Sequence, residues 1–371
     1  MTVPVRASSP FLRRARQFWH PVSRSCDLGD GGVAGVVVCG VPVAIWRDPD
    51  GGVGGIVDQC PHRGTRLSLG WVGQGGLACP YHAWEFARDG ACTAIPQAPE
   101  LPIPSRVSAT PVSVVERYGL VWACVAAPGS SSANLPAFAE AADPANHTYA
   151  GVPVTWSCGA TRQIENFCDV AHLSVVHDDT FGNPSQLELG RYDVTHSRDG
   201  SGPGGHDIGA VLDYAGYDRT DGTERPMAIT FEYRLELPFA VWLGSTYGTG
   251  PQRRHSVLFC VTRPINDDKC CVYWVNAQPA ATAPDDELLQ RYETMIFEAD
   301  RRLIESQVPT AAPLDVAAEV HLPFDKLAIA YRRALVDLGF GDDESDPPDG
   351  WSDATTSIDL PVRRQPVPAL D

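Results

Sequence analysis

The sequence predicts an α+β protein with two units, a β-rich N-terminal unit and a larger C-terminal unit that combines strands with helices. From about Phe18 to Val125, short apolar runs alternate with turn signals and leave no room for a long helix. Further along the chain, strand-like runs are accompanied by segments with helical apolar spacing. The length of 371 residues suits two domains, each with its own core.

Turn signals divide the N-terminal unit into strands. Apolar runs at Gly35–Cys39, Val41–Trp46 and Ile56–Asp58 are typical of short strands. The Asp-Pro-Asp-Gly-Gly stretch Asp48–Gly52 predicts a turn, because Pro, Asp and Gly suit turn dihedrals. Asp89-Gly90 predicts a two-residue hairpin turn. These signals indicate a small β-domain.

The C-terminal unit begins after residues 126–146, a stretch rich in Pro, Ala, Ser and Gly that is typical of a linker. Residues Thr161–His177 have helical character. Four later runs have the composition of strands: Ile229–Leu237, Ala240–Leu243, Ser256–Thr262 and Cys270–Asn276. The polar, Gly-rich segment Ser197–Arg225 is expected to be a mobile loop or lid.

Two helices are predicted near the C-terminal end. The first runs from Pro284 to about Gln307, with Asp285 or Asp286 as its N-cap. Its expected apolar stripe comprises Leu288, Tyr292, Ile296, Leu303 and Ile304. The second runs from about Phe324 to Leu338 and ends at Gly339 and Gly341. We place the domains at residues 17–128 and 129–341, with residues 1–16 packing on the second. The acidic, Pro-rich tail, residues 342–371, is expected to be poorly ordered.

Composition excludes several classes of protein. A net charge of −17 makes nucleic acid a poor partner. No apolar run approaches a membrane span, and no secretory signal follows the basic residues near the N-terminus, so we expect a cytoplasmic protein without membrane contact. Eleven cysteines, scattered along the chain, do not resemble a disulfide framework and should be reduced thiols. No Gly-rich nucleotide fingerprint indicates NAD or FAD binding.

Two mixed cysteine–histidine pairs stand out in the β-domain. Cys60-Pro-His62 and Cys79-Pro-Tyr-His82 each supply one thiolate and one imidazole directly after a strand-like run. Two Cys and two His suit tetrahedral zinc, although zinc fingers usually group the cysteines apart from the histidines. They also suit a two-iron cluster with thiolates on one iron and imidazoles on the other. Four unrelated core residues in two matched loops are improbable.

The spacing of these pairs resembles the Rieske domain of ring-hydroxylating oxygenases. The resemblance includes the flanking residues Pro61, Arg63, Gly64, Pro80, Tyr81 and Trp84. It implies a [2Fe-2S] cluster held by Cys60, His62, Cys79 and His82. The loops lack the additional disulfide cysteines of cytochrome bc-type Rieske proteins, which favours the oxygenase type.

A second constellation places Asn166, Asp169, His172 and His177 in one segment. On an ideal helix, His172 and His177 would differ in direction by about 140°. They can bind one metal only if the helix distorts or ends between them, and we predict a π-bulge there. Without further context, such a histidine pair is more often structural.

The pattern Asn-x-x-Asp-x-x-His-x4-His resembles the catalytic signature of Rieske oxygenases. The resemblance implies that His172 and His177 bind Fe(II) together with a distant carboxylate, in a facial triad with open positions. Asp300 matches that carboxylate, with Glu298 and Glu305 as rivals on the same helix. The remaining two polar residues of the pattern, Asn166 and Asp169, would lie around the metal ligands.

The resemblance gives Asp169 a specific role. It implies that Asp169 hydrogen-bonds His172 and reaches the cluster ligand His82 of a neighbouring subunit. Electrons would then pass between subunits, which requires a ring-shaped oligomer, and we expect a homotrimer.

The family implies a terminal oxygenase whose catalytic domain has a curved antiparallel sheet packed by helices, of the helix-grip type. It would take electrons from a separate ferredoxin or NAD(P)H-dependent reductase and activate O2 at the mononuclear iron. We expect monooxygenation of a small organic substrate, by hydroxylation or oxidative demethylation. The alternatives are a cis-dihydroxylating dioxygenase and an electron-transfer protein without oxygenase activity. Substrate-pocket residues are expected from residues 180–190, 229–243 and 256–276.

Overall fold

The computed structural model describes residues 8–126, 134–197, 207–219, 223–250 and 253–341. The predicted acidic tail therefore lies outside the described residues. Strands predominate over helices, and all strand pairs are antiparallel, which confirms the α+β class with its antiparallel C-terminal sheet. None of the helices in the described ranges has the length and apolar character needed to cross a membrane.

Three antiparallel sheets form the N-terminal unit. Their orders are β1-β10-β9, β2-β3-β4 and β5-β6-β7-β8. The strands are β1 (His20–Arg24), β2 (Val33–Val38), β3 (Val41–Arg47), β4 (Val53–Val57), β5 (Trp71–Val72), β6 (Leu77–Ala78), β7 (Glu85–Phe86), β8 (Cys92–Ala94), β9 (Ser113–Arg117) and β10 (Leu120–Cys124). The three predicted runs overlap β2, β3 and β4, the last of them only at Ile56 and Val57.

The two predicted turns of this unit have different outcomes. The turn between β3 and β4 is confirmed, because Asp48 N donates to Gly52 O at 2.9 Å. Asp89-Gly90 does lie in the β7–β8 hairpin, but the predicted two-residue turn is wrong. Ala87 N donates to Ala91 O at 2.9 Å, which leaves three residues in the loop. Gly90 has a φ of 83°, as expected for the left-handed position of a three-residue hairpin.

One large sheet organises the C-terminal unit. Its order is β11-β18-β17-β16-β15-β14-β13, and β12 also pairs with β18. The strands are β11 (Asn146–Ala150), β12 (Val154–Trp156), β13 (Val194–Ser197), β14 (Asp207–Asp218), β15 (Arg225–Glu236), β16 (Ala240–Tyr247), β17 (Arg254–Asn266) and β18 (Lys269–Pro279). The four predicted strands are confirmed as parts of β15 to β18.

The expectation of a loop over Ser197–Arg225 is wrong for much of the segment. Residues Asp207–Asp218 form a twelve-residue strand that pairs with β15 along its whole length. Alternate side chains on this strand are buried: Ile208, Ala210, Leu212 and Tyr214. Glycines and aspartates between them lowered the apparent strand content of the sequence. Residues 198–206 and 220–222 lie outside the described residues.

Five α-helices accompany the sheets in the described part of the chain. They are α1 (Pro10–Ala15), α2 (Ala160–Cys168), α3 (Leu173–Val176), α4 (Asp286–Ile304) and α5 (Lys326–Asp337). The two predicted late helices are confirmed. Asp285 caps α4 by accepting a hydrogen bond from Leu288 N at 2.8 Å. Gly339, with a φ of 79°, follows the end of α5.

Helix α4 presents a different face to the core than predicted. Its buried residues are Leu289, Glu293, Phe297, Asp300 and Ile304. Of the expected apolar stripe, Leu288 and Leu303 are 45% and 43% exposed. The predicted stripe is therefore wrong at Leu288 and Leu303, whereas Ile304 is buried as expected. The helix turns two carboxylates inward, and these matter for the site.

The large sheet packs on both faces. Helices α2, α4 and α5 cover one face, where Trp274 of β18 lies 6.0 Å from Phe297 of α4 between ring centroids. The opposite face joins a second cluster that includes Trp122 of β10, so the two units share a core. Helix α1 packs against the C-terminal end of α5, because Arg14 Nε donates to Leu338 O at 2.8 Å.

Candidate metal centres

Two tight loops carry the cysteine–histidine pairs, one after β4 and the other after β6. In each loop a backbone N–H four residues on bonds to the cysteine carbonyl, from Gly64 to Cys60 and from Ala83 to Cys79, both at 2.8 Å. Gly64 has a φ of 74°, which a residue without Cβ adopts without strain. These turns hold each cysteine beside the backbone of its own loop.

The four side chains sort by chemistry into two pairs. The Cys60 and Cys79 thiols are 3% and 1% exposed and lie within hydrogen-bond distance of each other. His62 Nδ1 and His82 Nδ1 are 3.1 Å apart and half-buried. The thiols therefore form an inner pair and the imidazoles an outer pair.

This arrangement does not suit one zinc ion. A tetrahedral zinc would bring all four donor atoms to roughly 4 Å of one another. In the described residues, no three of these four side chains gather their donor atoms within 4.8 Å. A two-iron cluster with separate thiolate and imidazole ends fits instead. Burial raises the pKa of the Cys60 thiol to about 11, so a thiolate there needs the positive charge of a metal.

Aromatic rings hold the imidazole pair near the protein surface. The His62 ring stacks on Trp84 at 4.4 Å with an interplanar angle of 8°. The Tyr81 ring lies 3.9 Å from that of His82 and is 63% exposed. Gln97 links the loop by donating to His82 O at 2.8 Å and accepting from Trp84 Nε1 at 3.2 Å. The outer end of this site can therefore contact another protein.

A second group of donor atoms converges beneath α4. His172 Nε2 and His177 Nε2 are 3.2 Å apart, and Asp300 Oδ1 lies 3.4 Å and 3.3 Å from them. No other group of three or more His, Cys, Asp or Glu side chains in the described part of the chain meets the same distance criterion. The predicted two-histidine, one-carboxylate set is brought together.

The predicted π-bulge between the histidines is wrong. Helix α2 ends at Cys168, and α3 begins after His172 and ends before His177. Asp169 Oδ1 accepts a hydrogen bond from Ala171 N at 2.6 Å, a local bond that competes with helix continuation. The chain therefore breaks and restarts, which turns both imidazoles towards one point.

Backbone contacts fix the segment that follows His177. Gly182 N donates to His177 O at 2.7 Å, and a Cβ at Gly182 would lie 2.7 Å from that oxygen. Only glycine permits this approach. Asn183 N donates to the Tyr214 hydroxyl of β14 at 2.8 Å. The segment is thus tied to the large sheet beside the metal set.

Burial sets the protonation of this site. It lowers the pKa of His177 to about 3, with the nearby His172 adding to the effect. It raises the pKa of Asp300 to about 6, against the opposing effects of His172 and a hydrogen bond from Asn166. Asp300 Oδ1 is buried without a hydrogen-bond partner among the described residues. A neutral imidazole and an unsatisfied carboxylate oxygen fit a divalent metal ion.

The other predicted site residues take different positions. The Asn166 side chain, 6% exposed, hydrogen-bonds Asp300 and so opposes the rise in the pKa of that carboxyl group. Asp169 Oδ1 lies 4.0 Å from His172 Nδ1, too far for the hydrogen bond expected from the family. The rivals of Asp300 point elsewhere. Glu298 accepts from its neighbour Arg301, and Glu305 accepts from Ser157 N at 2.7 Å.

An ion network behind the metal set was missed by the sequence analysis. Arg332 of α5 makes two hydrogen bonds to Glu165 of α2, at 2.7 Å and 2.8 Å, and also contacts Glu319. Arg162 donates to Glu319 at 2.6 Å. Arg332 is 2% exposed, and nothing in its sequence neighbourhood distinguishes it from a surface arginine. The network fixes the helix that carries Asn166.

A cavity of about 330 Å3 opens beside this network and Asp169. Its lining includes Arg162, Glu165, Asp169, Glu319 and Arg332. None of the segments predicted to form the substrate pocket contributes to it. Its walls combine the paired charges with apolar side chains such as Val308 and Val320. It lies on the outer side of α2.

The site residues fit one class of protein, an iron-dependent oxygenase that carries its own electron-accepting cluster. In this class one chain supplies two thiols and two imidazoles for the cluster, and then two histidines and a carboxylate for the second iron. Comparison with known families agrees. Residues 18–107 match the Rieske [2Fe-2S] domain, and residues 156–339 match the vanillate O-demethylase oxygenase C-terminal domain. The chain belongs to the Rieske non-haem iron oxygenases and is similar to their alpha subunits.

Similar proteins support this membership along most of the chain. The methylxanthine N1-demethylase NdmA of Pseudomonas putida is 29% identical over 334 residues, 87% of this chain and 89% of the relative. The structure of NdmA with caffeine has a TM-score of 0.76 and 28% identity, and covers 88% of this chain and 92% of that one. Dicamba monooxygenase bound to dicamba, at 22% identity, 89% and 98% coverage and a TM-score of 0.73, shares the fold. The protein is therefore an oxidoreductase that uses O2, a [2Fe-2S] cluster and a mononuclear iron.

Proposed function

We propose that this chain is the terminal oxygenase of a demethylase that acts on a small aromatic compound with an N- or O-methyl group. The observation that carries the proposal is the convergence of His172, His177 and Asp300 beside an aromatic wall. Similarity to an N1-demethylase over 87% of the chain supports the reaction type.

The ligand assignments are part of the proposal. Cys60 and Cys79 would bind one cluster iron, and His62 and His82 the other. His172, His177 and Asp300 would bind the mononuclear iron, with Asn166 orienting the carboxylate. Residues 17–128 would form the cluster domain and residues 129–341 the catalytic domain.

The reaction balances as a monooxygenation. One oxygen atom of O2 enters the methyl C–H bond, and the other leaves as water with two electrons and two protons. The hydroxymethyl product breaks its bond to nitrogen or oxygen and releases formaldehyde. When bound, the mononuclear iron supplies O2 activation.

The protein orients the substrate and excludes water around the reacting methyl group. Phe181 lies 5.1 Å from the His177 ring and is flanked by Phe231 at 5.6 Å and Tyr214 at 6.3 Å. Phe231 and Tyr214 are 3% and 5% exposed. These rings can stack on an aromatic substrate and keep bulk water from the metal set.

Electrons would come from a separate reductase or ferredoxin. The half-buried imidazole pair is the natural entry point, because it lies nearest the surface. Tyr81, whose ring lies beside His82, is 63% exposed, and the same unit exposes Leu69 and Trp71 by 61% and 49%. Exposed apolar side chains such as these suit a transient protein contact.

We further propose a homotrimer in which Asp169 faces the cluster end of a neighbouring copy. The Asp169 side chain is 41% exposed and borders the charged cavity of about 330 Å3. Val308 and Val320, which also line that cavity, are 90% and 91% exposed in the single chain. Apolar side chains this exposed favour burial against another subunit.

The test is turnover by the reconstituted protein. Oxygen uptake and formaldehyde release would be measured with a surrogate reductase across N-methyl and O-methyl aromatics. His177→Ala and Asp300→Ala should abolish both signals while leaving the visible absorption of the cluster. Glu298→Gln, an exposed change on the same helix, is the matched control. Product formation by the iron-ligand variants at the normal rate would contradict the proposal.

A further inference from the structure

Glu293 is a buried carboxylate on the same face of α4 as Asp300. The two residues are separated by two helical turns, which corresponds to about 10 Å of rise and about 20° of rotation. Glu293 is only 7% exposed. Both side chains therefore project towards the large sheet, Asp300 at the metal set and Glu293 roughly 10 Å further along.

Glu293 differs from the other inward carboxylates because it has no partner. In the described ranges no hydrogen bond or ion pair reaches it, and burial is the sole cause that raises its pKa, to about 7. By contrast, Glu165 is paired with Arg332, and Asp300 receives the Asn166 amide. A buried carboxyl group without a partner destabilises the fold, so a binding role accounts for its presence better than a packing role.

The sheet opposite Glu293 carries polar side chains among apolar ones. The charge of Glu293 adds to the effect of burial in raising the pKa of Tyr247 on β16 and of Cys260 on β17, which places the carboxylate over these strands. Strand register puts further polar side chains on the same helix-covered face: Ser245, Ser256 and Asn276. Ser256 accepts a hydrogen bond from Asn276 at 3.1 Å.

The end of α4 that carries Asp300 has aromatic neighbours. Phe181, Tyr214 and Phe231 surround His177 with rings. A ligand that reaches from the metal set to Glu293 would meet aromatic side chains at one end and an acceptor at the other, with Phe297 of α4 between them. The net charge of −17 also favours the approach of cations over anions.

We propose, resting on the demethylase function above, that Glu293 determines substrate choice by binding a nitrogen that carries N–H groups or a positive charge. This nitrogen would lie at the end of the substrate opposite to the methyl group that reacts. Glu293 accepts a hydrogen bond from it and repels an anionic group at the same position. Glu293 thus acts in binding and takes no part in oxygen transfer.

The experiment uses three probes of one shape and the reconstituted holoenzyme. 4-Methoxybenzylamine carries an ammonium group, 4-methylanisole is neutral and 4-methoxybenzoate is an anion. Dissociation constants are measured anaerobically by calorimetry, and formaldehyde release is measured separately. The variants are Glu293→Gln, which keeps the shape, and Glu298→Gln, whose side chain is 46% exposed on the outer face.

The expected result is a preference of the natural chain and of Glu298→Gln for the amine over 4-methylanisole by about 10- to 100-fold, the range for a hydrogen bond to a charged group. Glu293→Gln should reduce that ratio to near one and improve binding of the benzoate. Equal affinity for the three probes, including no binding of any, overturns the inference, as does an unchanged ratio in Glu293→Gln.

The two proposals fail in different ways. Selective binding of the amine that depends on Glu293, without formaldehyde release, would leave the inference standing and count against demethylation. Formaldehyde release with a selectivity that does not depend on Glu293 would support demethylation and contradict the inference about Glu293.

Discussion

Replacing Asn166 with alanine should weaken iron binding at the mononuclear site while leaving its three proposed ligands in place. The Asn166 amide is buried and donates to the Asp300 carboxylate. A hydrogen bond to a charged group contributes about 1.5–3 kcal/mol, which corresponds to roughly a 10- to 150-fold change in affinity. Groups that orient metal ligands typically change metal affinity by about 10- to 100-fold, which agrees.

The assay is an anaerobic Fe(II) titration against a competing chelator, on protein whose cluster is intact by visible absorption. Asn183→Ala is the matched control, because its amide donates to Ala215 O at 3.0 Å on the sheet side of the site. We expect Asn183→Ala to stay within about twofold of the natural affinity.

Two results would refute this reasoning. The first is an Asn166→Ala affinity within about twofold of the natural chain, which would mean that the hydrogen bond does not orient Asp300. The second is an equal loss in Asn183→Ala, which would mean that general loosening of the segment explains the effect.

Four further predictions concern the cluster and the charges. Arg332→Met leaves Glu165 and Glu319 with Arg162 as the arginine that still contacts them, and it should cost about 3 kcal/mol in chemical unfolding, the lower end of the range for a broken buried pair. The surface change Arg301→Met should cost about 1 kcal/mol or less, and equal losses would contradict this. Cys60→Ser should remove the visible absorption of the cluster but retain the mononuclear iron, as measured by elemental analysis. Loss of the cluster iron and the mononuclear iron together would show that the two centres are not independent. Hydrogen bonds from two arginines outweigh the burial of Glu319 and lower its pKa to about 2. The ionised carboxylate therefore stabilises the fold above the unfolded pKa, so the loss of stability in Glu319→Gln should be full at pH 7 and should shrink from pH 4 to 2 in melting curves. Glu293 has the opposite sign, because burial raises its pKa to about 7. Glu293→Gln should be more stable than the natural chain by at most roughly 3 kcal/mol at pH 8, and this gain should fade as the pH falls from 7 to 4.5; a gain independent of pH would argue against a buried charge.

Much of the candidate site could be predicted from short motifs. The two cysteine–histidine loops and the segment from Asn166 to His177 are contiguous in sequence, so their spacing carries the information. Asp300 is distant, and it was found through the resemblance of its helix. In the structure, the two loops bring His62 and His82 together, and His172, His177 and Asp300 form a separate group.

Features that depend on long-range packing could not be predicted. The buried role of Arg332 follows from its contact with Glu165, which is distant in sequence. The inward direction of Glu293 follows from the rotation of α4 against the sheet, whereas the apolar stripe predicted burial of Leu288 and Leu303, which are exposed. Strand β14 was missed because its pattern has glycines and aspartates where an isolated strand would have β-branched residues. In each case tertiary contacts outweighed local propensity.

The break between α2 and α3 changes how a substitution at Asp169 should be interpreted. Its carboxylate ends α2 locally through Ala171, and the same side chain faces outward beside the charged cavity. Alanine would remove both properties, and a continuous helix would swing His172 away from His177. Asparagine keeps the acceptor oxygen that shapes the turn and removes only the charge. Comparing the two substitutions therefore separates the structural role of Asp169 in ending α2 from any role of its charge in electron transfer.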